Sequence, residues 1–340
     1  MDESGAPPDK ASAGHGKSWV STRWHQRGRD AYAELASHPA AVLFGFLVAM
    51  CVALTFAHDA FLTRPNLVAV GLAVSVVGIA AVGQTIVIVS GGLDLSTESI
   101  IALTSVVVAD QLRIGMPVGV SLLVGLGVGV GAGLVNGMVV AWLGVNPVIT
   151  TLGTLALLRG LARIYAEGKT IRVSDETMRD IGLHELPGGL PIPVVVTVAC
   201  FLIGGAVMIW TTFGRNAYLI GDNLEAARLA GIRISVFQIS VYVVAGLFAA
   251  ISGIIFTATV GAGLPNGATG TSLTVIAAVI LGGTSLTGGI GRVGGTLIGV
   301  LVLGVIENGL ILLDVSSDWQ LVAIGAILIV AVALDQKRLD

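Results

Sequence analysis

The chain has 340 residues, of which 54% are hydrophobic and 11% are charged, and its formal net charge is −3 at pH 7. A soluble protein of this length needs more charged residues to cover its surface, so the composition argues against a soluble globular fold. The mean hydropathy of +0.92 agrees with that exclusion. Apolar runs able to cross about 30 Å of hydrocarbon recur along the chain. We therefore predict an all-α polytopic membrane protein.

The first 38 residues are polar and contain several Lys and Arg side chains. A cleavable signal peptide is not predicted, because this polar stretch is too long before the first apolar run. We interpret residues 1–38 as a disordered or amphipathic N-terminal tail in the cytoplasm. The transmembrane domain is predicted over 39–335.

Ten apolar segments follow the tail, so about ten transmembrane or re-entrant helices are predicted. Their bounds are 39–58, 66–90, 97–112, 117–143, 147–165, 191–213, 234–260, 272–287, 293–313 and 319–334. The segments 97–112 and 272–287 are short enough to be re-entrant. With both termini inside, the inside segments hold eleven Lys and Arg residues and the outside loops five, as the positive-inside rule requires. The external loop 166–190 is then net acidic.

Two glycine-containing stretches suggest a possible internal repeat. Gly91-Gly-Leu-Asp-Leu-Ser96 resembles Gly282-Gly-Thr-Ser-Leu-Thr287. Duplicated halves are common in transporters. Chance similarity in a chain rich in Gly, Val and Leu explains the match as well, so the repeat is left open.

Glycines are spaced closely in the predicted span 117–143, at Gly127, Gly129, Gly131, Gly133 and Gly137. The pairs Gly127/Gly131 and Gly133/Gly137 have the spacing that lets membrane helices approach closely. The span is therefore predicted to cross another helix at short range, as ordinary packing or beside a solute path.

Several polar residues interrupt the apolar sequence. Gly91 and Gly92 break a helix, and Asp94 or Ser96 can cap the next one. A carboxylate so close to hydrocarbon is costly, so Asp94 or Glu98 can also line a polar cavity. Hydrogen bonding inside the helix bundle is the alternative for all of these residues. The candidates for a solute path are Gln84, Asp94, Ser96, Glu98, Asn136, Thr284, Ser285 and Asn308.

The sequence lacks the patterns of an enzyme. It shows no metal-ligand spacing of His, Cys, Asp and Glu, and no nucleophile–base set. Gly14–Ser18 resembles the end of a phosphate-binding loop but lacks the first glycine and a preceding strand. We predict no catalytic residue, no metal, no cofactor bound by this chain and no nucleic-acid partner.

A charged, helix-prone island at 214–233 separates two long apolar segments. Its charged residues are Arg215, Asp222, Glu225, Arg228 and Arg233. Burying them at a bilayer centre would cost roughly 3 kcal/mol each, so the island lies outside the hydrocarbon. A short, Ala-rich surface helix is suited to docking a soluble partner, which here would be cytoplasmic. The pattern indicates a membrane subunit driven by something that it does not contain.

Four blocks of sequence resemble the permease subunits of bacterial ATP-binding-cassette (ABC) importers of the ribose/xylose/galactose type. The first is the Gly-Gly-Leu-Asp-Leu-Ser stretch at 91–96. The second joins Gly-Leu-Val-Asn-Gly at 133–137 to Pro-Val-Ile-Thr-Thr-Leu-Gly-Thr at 147–154 and to Arg159-Gly160. The third is the island 214–232, and the fourth runs from Ile276 to Leu310. In order and spacing the blocks cover roughly 66–335.

The resemblance implies a function and a set of partners. It implies that 39–335 is a permease domain that imports a monosaccharide across the inner membrane by alternating access. A second permease copy, like or unlike, cytoplasmic ABC ATPases using ATP and Mg, and a periplasmic or lipid-anchored sugar-binding protein are the implied partners. The loop 214–233 would be the coupling loop, docked on the ATPase. We assign the docking to Arg215, Asn223, Glu225, Ala226, Ala227, Arg228 and Gly231.

The chain departs from the family at two places. Ser272-Leu-Thr-Val275 stands where an acidic Glu-Leu-Asp-type stretch is common, and Ile290 stands where Lys or Arg is frequent. If those acids help to select or pass the sugar, this chain differs in substrate or rate.

Three other classes of function remain open on the sequence. An ion-driven secondary transporter of a small polar solute would need an intramembrane carboxylate or His relay, for which Asp94, Glu98 and Glu307 are the candidates. An intramembrane enzyme would need a nucleophile–base pair at depth. A scaffold or sensor would transport nothing.

Overall fold

The computed structural model describes residues 39–339, which are mostly helical, as predicted; the predicted tail 1–38 lies outside this range. The helices of the described range are α1 (Pro39–Ala57), α2 (Arg64–Val89), α3 (Thr97–Arg113), α4 (Val118–Leu143), α5 (Pro147–Tyr165), α6 (Glu176–Leu183), α7 (Ile192–Trp210), α8 (Thr212–Asp222), α9 (Leu224–Leu229), α10 (Ile234–Val260), α11 (Thr271–Leu281), α12 (Val293–Leu312) and α13 (Ser317–Leu339). Four two-residue strands form two antiparallel pairs. These are β1 (Ile171–Arg172) with β4 (Ala262–Gly263), and β2 (Glu185–Leu186) with β3 (Leu190–Pro191).

The helix bundle has two ends, which are named here after the short helices that lie there. At the α8 end, Gly221 of α8 packs on Val89, the last residue of α2. At the α6 end, Gly182 of α6 packs on Ala258 near the end of α10. Helices α2 and α10 run in opposite directions between these ends, and they form the centre of the bundle.

Burial separates the central helices from the peripheral ones. Every residue from Ile79 to Val89 of α2 is buried. Within the most apolar window of each helix, 78% of α2 and 61% of α10 is buried, against 28% of α4 and 22% of α5. Helices α4 and α5 therefore keep broad apolar faces for lipid or a partner chain.

Six helices of residues 39–339 are long and apolar enough to cross a membrane: α2, α4, α5, α7, α10 and α12. Shorter apolar helices lie within α1, α11 and α13. The chain is thus a multi-pass helical protein, and the count of ten crossing or re-entrant segments stays a prediction. Helix α11 has 11 residues and is about 16 Å long, roughly half the hydrocarbon thickness.

Three glycines of α4, spaced four residues apart, form the crossing with α10. Gly129 packs on the backbone of Gly246, Gly133 on that of Tyr242, and Gly137 on that of Ile239. Glycines 127 and 131 have no neighbouring atom within 4 Å. Of the two predicted pairs, Gly133/Gly137 therefore packs inside the chain, whereas Gly127/Gly131 faces outward, because alternate positions turn to opposite sides of a helix.

Gly133→Leu is expected to lower the thermal unfolding midpoint of the purified protein, whereas Gly131→Leu leaves it nearly unchanged. A methyl group at position 133 would collide with the Tyr242 backbone, whose carbonyl carbon would lie 2.8 Å away. Such overpacking costs about 1–3 kcal/mol or more. Thermal unfolding in detergent measures both variants, and equal midpoints would contradict the packing described for α4.

The two glycine turns end their helices in the same way. Gly91 (φ 80°) follows α2 and Gly283 (φ 90°) follows α11, each in the left-handed conformation of a helix terminus. Gly92 N–H donates to Val87 O at 2.9 Å, and Thr284 N–H donates to Val279 O at 3.2 Å. The structural correspondence is thus Gly91 with Gly283, one residue out of step with the sequence match. An internal duplication stays a prediction, since two helix ends of one type explain the likeness.

Candidate functional site

The predicted coupling loop folds into α8 and α9 at one end of the bundle. Thr211 caps α8 by accepting a hydrogen bond from Gly214 N–H at 3.3 Å. Asn223 caps α9 by accepting from Ala226 N–H at 2.9 Å. Asn223 thus shapes this surface as well as lying on it.

Most of the predicted docking residues are exposed on this surface. Arg215, Asn223, Glu225, Ala226, Arg228 and Gly231 are exposed. Glu225 and Arg228 form an ion pair at 3.0 Å, with 67% and 62% of their side chains accessible. The α8–α9 surface therefore presents charged groups of both signs for a partner.

Two residues of α9 differ in accessibility from what the predicted docking set implies. Ala227 is only 2% exposed and packs into the hydrophobic core, so it is unavailable to a docked protein. Its side chain lies on the bundle-facing side of the short helix α9. Leu229, in contrast, is 83% exposed beside these charges. Sequence reasoning missed Leu229, although a large apolar residue in a charged surface helix is a usable signal.

Tyr218 ties α8 to the turn after α11. Its hydroxyl donates to the carbonyl oxygen of Gly291 at 2.8 Å. Burial raises the pKa of the Tyr218 phenol. The hydroxyl therefore keeps its proton and remains a donor to this carbonyl.

Four path candidates form one buried cluster around the loop 90–96. Asp94 Oδ1 accepts from Ser96 N–H at 2.8 Å and from the Ser96 hydroxyl at 2.5 Å. Asn136 Nδ2 donates to Ser96 Oγ at 2.8 Å. The Gln84 amide, with its nitrogen towards Asp94 O at 3.1 Å, pairs with the backbone of that residue.

This cluster supports the loop rather than lining an open path. Gln84, Asp94, Ser96 and Asn136 are each at most 1% exposed. In this conformation they face the interior of the bundle, and a place for them beside a solute path stays a prediction. The alternative of hydrogen bonding inside the bundle describes them correctly.

Glu98 joins three helices. Its Oε1 forms an ion pair with Arg159 of α5. Its Oε2 accepts from Gly270 N–H at 2.8 Å and from Ser272 N–H at 3.4 Å, at the start of α11. In return Ser272 Oγ accepts from Glu98 N–H at 3.0 Å and donates to Leu95 O at 3.0 Å. We call Glu98, Arg159, Gly270 and Ser272 the ionic clamp.

The clamp lies at the first residues of the departure at 272–275. Where the resemblance leads one to expect acids on α11 itself, the carboxylate of Glu98 on α3 occupies the start of that helix. A carboxylate there is stabilised by the free N–H groups and by the positive end of the helix dipole. Arg159 was missed as a site residue by the sequence analysis, although an arginine in one predicted span needs a carboxylate from another.

The remaining path candidates lie elsewhere. Thr284 and Ser285 are buried in the turn after α11, where Ser285 Oγ donates to Asp335 Oδ2 at 2.9 Å. Asn308 pairs with Asn66 at 2.7 and 3.0 Å, at the α6 end. The candidates therefore lie in four places: the loop cluster, the clamp, the turn after α11 and the Asn308–Asn66 pair.

No group of three or more His, Cys, Asp and Glu side chains suited to a metal ion occurs within residues 39–339. The acidic residues considered for an ion relay are also separated. Glu98 is neutralised by Arg159, and Asp94 belongs to the buried loop cluster. Glu307 lies on α12, one residue from the Asn308–Asn66 pair.

Comparison with known proteins identifies the family. The family model described as the permease component of branched-chain amino acid transport systems matches residues 66–332. The chain belongs to this family. This permease is 40% identical over 335 residues to the L-arabinose transport system permease protein AraH of Escherichia coli K12, covering 98% of this chain and 95% of the relative. It is 38% identical over 302 residues to the ribose import permease protein RbsC of Bacillus subtilis 168, covering 86% and 91%. No solved structure matches it.

These matches confirm the resemblance to permease subunits of ABC importers. The permease is a multi-pass membrane transport component rather than an enzyme. The four blocks all lie within the matched range 66–332, so the resemblance and the family match rest on the same part of the chain.

Proposed function

We propose that this permease imports a monosaccharide of the arabinose or ribose kind across the bacterial inner membrane, by alternating access in a dimer. The names of the two relatives support the substrate class, since one is an arabinose permease and the other a ribose permease. Both align over most of the chain, including the clamp and the α8–α9 surface. The second permease copy is of the same chain or of a similar one.

The observation that carries the proposal is the exposed, mixed-charge α8–α9 surface. A membrane subunit with such a surface and no nucleotide-binding pattern needs an external motor. We assign that role to cytoplasmic ABC ATPases, which bind ATP and Mg and dock on Arg215, Asn223, Glu225, Ala226, Arg228, Gly231 and Leu229. Leu229 supplies an apolar anchor of the kind that dominates protein interfaces.

The docking role fixes the orientation that we propose. The α8 end faces the cytoplasm, together with both chain termini, and the α6 end faces the periplasm. The excess of Lys and Arg on the inside supports this orientation. A periplasmic or lipid-anchored sugar-binding protein would then deliver its solute to the α6 end, where the net acidic loop 166–190 lies.

We propose that the solute path runs beside the clamp. Arg159 lies between the two ends of the bundle, and 24% of its charged side chain is accessible, against 8% for its partner Glu98. Asn308 would stand nearer the entrance and Thr284 and Ser285 nearer the exit, while Gln84, Asp94, Ser96 and Asn136 hold the loop that positions Glu98. A solute that must leave quickly needs few strong contacts, and the binding protein supplies the affinity.

The test is transport by the assembled complex in proteoliposomes. The permease, its cognate ATPase and its cognate binding protein are reconstituted, and uptake of radiolabelled arabinose, ribose, xylose, galactose and leucine is measured. We expect uptake of a pentose that requires ATP, Mg and the binding protein, and that survives a protonophore and a sodium ionophore. Leucine tests the amino-acid substrate that the family description names.

Two results would refute the proposal. Uptake that stops with the ionophores and continues without ATP would identify an ion-driven secondary transporter. Uptake of leucine with no sugar uptake would replace the substrate class while leaving the ATP-driven mechanism in place.

A further inference from the structure

Helix α11 reaches from the clamp to the surface at the α8 end. Its first turn lies against Glu98, and its last residue, Leu281, leads into the turn 282–292. The helix has 11 residues and is about 16 Å long. A rigid segment of this length places the turn and the clamp at opposite ends of one element.

The turn 282–292 is joined to α2 and to α8 by backbone contacts. Gly289 N–H donates to Val89 O at 2.9 Å. Tyr218 of α8 donates to Gly291 O at 2.8 Å. The turn is therefore attached both to a central helix and to α8, which is part of the proposed docking surface.

Gly221 is the closest point of this junction. A methyl group on Gly221 would collide with the carbonyl oxygen of Val89 and would lie 2.5 Å from Gly289 N. A methyl group on Gly288 would lie 2.7 Å from Gly221 O. The three backbones can approach so closely only because glycines stand on both sides of the contact.

The other side of α11 is held by α12. Gly282 packs on the backbone of Gly295, and Gly299 packs on that of Ala278. Close backbone packing of this kind resists sliding, because interiors are dense and nearly incompressible. A displacement of the turn therefore moves α11 together with α12, instead of sliding one helix along the other.

We propose that Gly221 and Tyr218 are positioning residues for transport, which join α8 to α11 so that a displacement of α8 reaches the Glu98–Arg159 pair between the two ends of the bundle. The inference rests on the proposed function, since it needs a motor that moves α8. It goes beyond docking, because neither residue needs to touch the ATPase. Small shifts at one site become larger changes at another when packed elements have two discrete arrangements.

The experiment compares Gly221→Ala with Gly294→Ala in the intact complex. Gly294 also lies at the α8 end, at the start of α12, but has no neighbouring atom within 4 Å. The measured quantity is the number of sugar molecules moved per ATP hydrolysed. We expect this ratio to fall at least about tenfold in Gly221→Ala, as loosened packing separates α8 from the turn, with the ATPase still bound and hydrolysing. Gly294→Ala keeps the wild-type ratio.

Tyr218→Phe provides a milder second variant, because it removes only the hydrogen bond to Gly291. The ratio is expected to fall about three- to tenfold, the range set by one hydrogen bond. If Gly221→Ala does not assemble with the ATPase, the ratio measured for Tyr218→Phe tests the positioning role alone. Wild-type ratios in both variants, or a ratio that falls equally in Gly294→Ala, would overturn the inference.

The wild-type complex separates this inference from the proposed function. If the wild type moves no sugar with ATP, the proposed function fails before any variant is compared. If the wild type transports and Gly221→Ala and Tyr218→Phe do so with the same ratio, only the positioning role fails.

Discussion

Glu98→Ala is expected to destabilise the permease by about 3–5 kcal/mol, the cost of leaving one partner of a buried ion pair alone. The change strands the Arg159 guanidinium, which is only 24% accessible. It also removes the acceptor for Gly270 N–H and Ser272 N–H at the start of α11. Thermal unfolding of the purified protein measures the effect, and sugar uptake is expected to be lost with it.

A double-mutant cycle tests whether the effect belongs to the pair. Arg159→Met alone should also destabilise the protein, and the double variant Glu98→Ala/Arg159→Met should cost less than the sum of the two. Glu167→Ala is the matched control, because the Glu167–Lys169 pair is fully exposed, with 76% and 75% of the side chains accessible. No measurable change is expected there. If Glu167→Ala destabilises the protein as much as Glu98→Ala does, the claim that the clamp stabilises it more than an exposed ion pair is refuted.

Glu225→Arg is expected to reduce ATP-driven sugar uptake at least about tenfold while the permease still reaches the membrane in normal amount. The substitution breaks the Glu225–Arg228 pair and gathers positive charge on the α8–α9 surface. If the ATPase surface complements the charge of Glu225, reversing that charge places like charges opposite each other, at a cost of several kcal/mol of binding, about tenfold for each 1.4 kcal/mol. Copurification of the ATPase with the tagged permease measures docking directly.

Glu176→Arg is the matched control for docking. Glu176 is likewise an exposed acid in the first turn of a short helix, α6, but lies at the opposite end of the bundle. We expect it to leave copurification of the ATPase unchanged. Normal ATPase binding and uptake in Glu225→Arg would contradict the docking role of Glu225. Loss of ATPase binding in Glu176→Arg would contradict the assignment of the α8 end to the cytoplasm.

The helical part of the fold was predictable because its cause is local. Hydropathy sums over neighbouring residues, so the bounds of the long spans agree with the helices to within a few positions. The charged island was recognisable for the same reason, since its charges are too costly for hydrocarbon wherever the rest of the chain lies. The short helix α11 was less certain, because an apolar run of its length fits a crossing or a half-crossing equally well.

The candidate site was predictable only in part. The sequence indicated Glu98, because a carboxylate near hydrocarbon is energetically costly. Its partner Arg159 lies 61 positions further along the chain, on another helix, so no local pattern joins the two. Leu229 is exposed and Ala227 is buried, although both belong to α9. Which side of a short helix faces the bundle depends on how that helix is docked, and composition does not report this.

The sequence by itself determined that this is a multi-pass helical permease with a charged surface helix. Hydropathy, the cost of placing charges in hydrocarbon and the family motifs all depend on residues that are neighbours in the chain. Only the tertiary structure decided which glycines of α4 meet α10, which polar residues are enclosed around the loop 90–96, and that Glu98 holds both Arg159 and α11. Those relations depend on the rotation and depth of each helix against its neighbours. Packing between distant segments sets both quantities, and no local pattern records them.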